Sequence, residues 1–233
     1  MTYLNADDLI RRLSIINDNI EATKKLTEFY VTARLKIDPE VLTRQYTDGS
    51  DDGGIDLYHV EDLTFIIFQT KFSSSVRRTN LTEILREIGK LKNTLTGINP
   101  NQKAGDFVNS LKKEVNNKDA NLEIVWLTTN IVDPSVKESV QKDLNEWRKD
   151  NEWQINIDFV VVDKHTLENV IYDVKHGYIP YTGKKTLKLE QGQWMETRWI
   201  ETNVYSVVCS VWVNKLLRWF NTSEEIDKFL QKM

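Results

Sequence analysis

Asp51–Phe72 reads DDGGIDLYHVEDLTFIIFQTKF: acids and paired glycines, a short β-type run, a turn at Glu61-Asp62, then a long apolar run ending in Gln69 and Lys71. The apolar run has the composition of a buried strand, and burying an ammonium without a partner is expensive. Either the strand end reaches solvent or chemistry requires the lysine. Ile55–Val60 and Leu63–Phe72 are separated by so few residues that a β-hairpin is the economical reading. Side chains alternate along a strand, so Gln69 and Lys71 project from one face. An even-numbered hairpin loop sets Asp56 opposite Ile67 or Gln69, on that same face. An odd loop puts it on the other.

With an even loop, a carboxylate, an amide oxygen and an ammonium converge at one end of the hairpin. A hard cation such as Mg²⁺ or Mn²⁺ takes oxygen ligands and keeps several waters. Asp56 supplies charge, Gln69 a neutral oxygen, and the Thr70 carbonyl a further one. Lys71 then stands beside a metal-bound water, to position it or to stabilise charge during phosphodiester attack.

The flanking chain alternates helix and strand. Residues 6–36 carry a helical apolar face through Leu9, Ile10, Leu13, Ile16, Ile20, Leu26 and Phe29, with a break near Asn17-Asp18-Asn19. Val41–Tyr46 reads as a short strand. Asn80 with Glu83 forms a capping box, opening a helix with Leu81, Ile84, Leu85, Ile88, Leu91 and Leu95 on one stripe and closed by Gly97 and Pro100. A helix over about 103–117, a buried strand at 122–128, a helix starting at Asp133-Pro134, a strand at 154–163 and a helix through Leu167, Val170 and Ile171 follow. The order predicts an α/β fold with a mixed central β-sheet flanked by helices. Residues 1–174 are the expected main domain and 175–185 a linker. Residues 186–233 are a small C-terminal β/α extension, with a strand at 205–213 and a helix capped by Thr222.

Gly-Gly-Ile-Asp before an apolar strand ending Gln-Thr-Lys resembles the PD-(D/E)xK nuclease superfamily, with its restriction-endonuclease-like core. There an Asp and a Glu or Gln two residues before a Lys sit on a hairpin; Asp56, Gln69 and Lys71 match these positions, with Gln69 the amide variant. The resemblance also implies an acid from the first helix, for which Glu28 is the preferred match and Glu21 the second. DGGID…QTKF and the amphipathic helix after it look most like the nuclease domain of abortive-infection phage-resistance proteins. The likeness covers roughly residues 20–172 and extends faintly into 200–220. It implies a Mg²⁺- or Mn²⁺-dependent nuclease acting on DNA or RNA in phage defence. The alternative is a catalytically inactive module of the same fold that binds nucleic acid or a partner protein. Nucleases that cut duplexes often pair subunits, so a homodimer is compatible.

The bulk properties agree with such a reading. The 233 residues carry a net charge of −4, which argues against a broadly basic nucleic-acid coat, but the charge is unevenly spread. Asp48–Asp62 holds six acids and no Lys or Arg, whereas Lys71–Lys92 holds six bases against Glu83 and Glu87. Arg77, Arg78 and Lys90 are the candidates for contact with a nucleic-acid backbone, contacts that favour affinity over sequence choice. No apolar run approaches the ~20 residues of a membrane span, no signal-peptide pattern opens the chain, and the lone Cys209 excludes an internal disulfide framework. A cytoplasmic setting is expected.

Other readings fail on spacing. Asp48–His59 lacks the glutamate that ends a calcium loop, so Asp51 and Asp52 are turn residues beside Gly53 and Gly54. His59, His165 and His176 have no zinc spacing. Trp126 and Trp147 read as core; Trp194, Trp199, Trp212 and Trp219 either pack the tail on the main domain or form a protein interface, packing being favoured.

Overall fold

A computed structural model describes residues 3–35, 37, 39–47, 53–98, 102–175, 194–199 and 204–209. The chain divides into two compact units, Met1–Gly177 and Tyr178–Met233. The first unit is a mixed α/β fold built on a four-stranded sheet. Its strands are β1 (Leu57–Glu61), β2 (Thr64–Lys71), β4 (Asn121–Thr128) and β6 (Asn156–Val162), in spatial order β1-β2-β4-β6. β1 runs antiparallel to β2, whereas β2, β4 and β6 are mutually parallel. Two short strands, β3 (Arg78–Thr79) and β5 (Ile131–Val132), pair in parallel.

Burial follows strand position. β2 lies inside the sheet and is covered on both faces, which is why Phe65, Ile66, Ile67 and Phe68 are all buried without alternation. Each contributes about 1.5–3 kcal/mol when removed from water. The edge strand β6 instead alternates, with Asn156 and Asp158 exposed and Ile157 and Phe159 buried.

The two sheet faces carry separate cores. Phe65, Ile67, Ile124 and Trp126 pack with α4 (Leu81–Thr96), α5 (Gln102–Glu114) and α6 (Pro134–Asp150). Ile66, Phe68, Val125 and Leu127 pack with α1 (Ala6–Leu13), α2 (Asn19–Leu35) and α7 (Lys164–Lys175). The helix boundaries are written locally. Asn80 Oδ1 accepts the Glu83 amide at 2.9 Å to start α4, and Gly97, at φ +94°, ends it. Asp133 caps α6, with Pro134 in its first turn. Asp18 Oδ1 accepts the Ile20 amide at 2.8 Å, which places the break between α1 and α2.

One expected strand is absent. Val41–Tyr46 was read as β, yet Pro39–Thr43 forms the short helix α3, and only Tyr46 joins a β-bridge, to Leu57. The fixed φ of proline, which ends the preceding helix, equally preorganises a new first turn. β3 and β5 were not foreseen, since two residues give no periodicity to detect. In the second unit, β7 (Trp194–Trp199) pairs antiparallel with β8 (Val204–Cys209). The expected linker beyond Lys175, the remainder of the 205–213 strand, the Thr222-capped helix, Trp212 and Trp219 lie outside the described residues. No described helix is long and apolar enough to cross a membrane.

Candidate functional site

Two residues, Asp62 and Leu63, connect β1 to β2, with Asp62 at φ +52°. The loop is therefore even, and the register pairs Leu57 with Phe68. One step further along, Asp56 stands opposite Gln69. The side chains meet: Gln69 Nε2 donates to Asp56 Oδ2 at 3.0 Å, and the Thr70 backbone N–H donates to the same oxygen at 2.6 Å. The Asp56 amide in turn donates to the Phe68 carbonyl at 3.0 Å. Two donors thus hold the carboxylate through Oδ2, and the backbone bond holds the residue itself, just before β1 begins.

Gln69 is 3% exposed, and its Oε1 is buried with no hydrogen-bond partner. Nearly all buried polar atoms are satisfied, so an orphan oxygen on the side chain that meets the Asp56 carboxylate stands out. Thr70, from the other face of the strand, meets Thr27 of α2 through their hydroxyls at 2.8 Å.

Lys71 lies one alternation beyond Gln69, toward α4. Its ammonium stands 3.9 Å from Glu87 Oε2, with the lysine side chain 36% exposed and that of Glu87 only 6%. Strand end and lysine are anchored by the end of β4 and the residue after it: Thr128 Oγ1 donates to the Lys71 carbonyl at 2.9 Å, and Thr129 Oγ1 accepts the Ser73 amide at 2.9 Å. The lysine thus ends the strand at the carboxyl edge of the parallel sheet, the edge where open α/β sheets place their ligands.

Glu87 is the residue that sequence reasoning missed. It was counted only as a charge opposing the Lys71–Lys92 bases, because a carboxylate on an amphipathic helix reads as solvated. Two features bury it. Residues 84, 88 and 91 face the sheet on the same helix, and the paired glycines pack closely on α4. A Cβ at Gly54 would stand 3.1 Å from the Glu87 carbonyl and from the Leu91 amide, and the Thr94 hydroxyl donates to the Gly53 carbonyl at 2.8 Å. Gly53 and Gly54 sit at φ +62° and +83°, as turn residues do. Burial pushes the Glu87 carboxyl up, but Lys90, Lys71 and Arg86 together outweigh it and hold the group below the usual carboxylate range.

The remaining expected residues are more scattered. Glu28 lies on α2, in the layer against the opposite face of β2, and pairs with Lys25 at 2.8 Å; Glu21 approaches the same lysine at 3.7 Å. Arg77 pairs with Glu83 at 3.2 Å, Lys90 with Glu87 at 3.0 Å, and Arg78 is exposed on β3. Among the described residues no three or more Asp, Glu, His or Cys side chains are grouped to hold a metal. What the hairpin end brings together is one carboxylate, one orphan amide oxygen and one lysine.

Fold and site thus define a mixed α/β protein with a polar constellation at the carboxyl edge of its sheet. No family model matches the chain, and neither the curated proteins nor the solved structures contain a match.

Proposed function

We propose that the protein is a metal-dependent nuclease with a restriction-endonuclease-like core, hydrolysing phosphodiester bonds of DNA or RNA. The observation that carries this reading is the hydrogen bond from Gln69 to Asp56, which leaves Gln69 Oε1 buried and unpartnered two residues before Lys71. Asp56 and Gln69 are hard oxygen donors of the kind Mg²⁺ or Mn²⁺ accepts. A bound divalent ion supplies Lewis acidity and a water of lowered pKa. The chain's own residues do the rest. Gln69 and the Thr70 amide orient the Asp56 carboxylate, and the Lys71 ammonium stabilises negative charge developing on the phosphate. Glu28 has the sequence position of an additional acid, but it pairs with Lys25 on α2, in the layer on the opposite face of β2. The DGGID…QTKF resemblance supports a role in phage defence.

Incubation with plasmid and with single-stranded RNA, with Mg²⁺, with Mn²⁺ and with chelator, tests this. Metal-dependent cleavage is expected, reduced at least about 100-fold by Lys71→Ala or Asp56→Asn. Absence of cleavage with either metal, or full activity in both variants, refutes it.

A second reading is a non-catalytic module of the same fold. The ion pair of Lys71 with the buried Glu87 favours it, because a lysine so held has a structural reason to be there. Metal titration by calorimetry separates the two: heat of binding that disappears in Asp56→Asn supports the nuclease, and its absence leaves the module.

A further inference from the structure

Glu87 gathers three cations from two elements. Lys71 Nζ at the end of β2 is 3.9 Å away, Arg86 lies at 3.2 Å and Lys90 at 3.0 Å on α4. The carboxylate is buried, while the Arg86 and Lys90 side chains are 69% and 55% exposed. Among the described contacts, Glu87 is the carboxylate with which each of these cations pairs. One buried negative charge therefore organises three positive ones, two of them on well-exposed side chains. An ordinary solvated salt bridge pairs one exposed charge with another and orients neither. Here the anion is fixed by the packing of α4 against the sheet and the glycine turn, so the cations are held about a fixed point.

We infer that Lys71, Arg86 and Lys90, anchored by Glu87, form a cradle for the phosphodiester backbone of a nucleic acid. The inference rests on the nuclease reading for the identity of the polymer, and it adds Arg86 and the anchoring role of Glu87. Arg86 presents a planar fork suited to two phosphate oxygens, and Lys90 a rotatable point charge one helical turn on. Lys71 joins this surface to Gln69 and Asp56, so a backbone lying on the cradle passes the hairpin end. The contacts are to phosphate and carry no sequence information.

The test is equilibrium binding without catalysis. A fluorescein-labelled mixed-sequence DNA duplex and a single-stranded RNA are titrated with the full chain in chelator, by fluorescence anisotropy, over a series of salt concentrations. Arg86→Ala and Lys90→Ala are each expected to weaken binding and to reduce the slope of log affinity against log salt by about 1. Arg86→Lys and Lys90→Arg should restore the slope, which a purely structural role for these side chains would not require. Lys142→Ala, removing a lysine of α6 that is 80% exposed, should change nothing. Absence of binding to both polymers by the unaltered chain, or unchanged slopes in both alanine variants, overturns the inference. Binding that depends on Arg86 and Lys90 in a chain that never cleaves would sustain the cradle and refute only the nuclease.

Discussion

At the scale of single residues, Glu87 and Gln69 exchange the roles their chemistry suggests. The charged residue is buried and partnered; the neutral one carries the unsatisfied atom. Glu87→Gln should lower stability by about 1–3 kcal/mol, since it leaves three like charges around a neutral amide. Its pH dependence follows from the lowered carboxyl value. A depressed folded-state pKa adds stability above the unfolded pKa, and that stability is lost as pH falls through the folded value. Urea midpoints measured from neutral to acid pH should therefore fall more steeply for the unaltered chain than for Glu87→Gln. Parallel curves would show that the cations do not stabilise the ionised form.

At the scale of elements, the hairpin and α4 form one device. The two-residue loop sets the register that faces Asp56 with Gln69, and the glycine turn lets α4 approach closely enough to bring Glu87 to Lys71. Gly54→Ala places a methyl against the Glu87 carbonyl and the Leu91 amide at a positive φ. A loss of about 1–3 kcal/mol is expected in chemical denaturation. The nucleic-acid binding proposed for the Glu87-anchored cations should fall with it. A variant of unaltered stability would show that the turn has room the close contact does not suggest. Much of this was legible: the even loop was one of two stated options, and α4 with its Asn80 cap and Gly97 stop followed from spacing alone. Val41–Tyr46 departs from its expected strand because Pro39 starts a helical turn that runs to Thr43.

At the scale of the molecule, the described buried apolar residues between Tyr3 and Ile171 form two cores, one on each face of the four-stranded sheet. The first unit thus contains its own core on each side of the sheet. A chain of residues 1–177 should unfold in one transition, with far-ultraviolet circular dichroism and tryptophan fluorescence changing together in urea. Separated transitions would show that the two helical layers do not form one cooperative unit.

The sequence by itself determined the alternation of helix and strand, the caps, the buried character of the β2 segment and the two-residue spacing of Gln69 and Lys71. These are local properties, set by side-chain periodicity, turn chemistry and the backbone preferences of Pro and Gly. Only the tertiary structure decided that Asp56 meets Gln69, that Glu28 belongs to the opposite layer and that Glu87 is the partner of Lys71. Each of those outcomes depends on which elements pack together. Residues 71 and 87 are neighbours because α4 folds back across the sheet and the Gly53-Gly54 turn admits it, and no single segment records that approach.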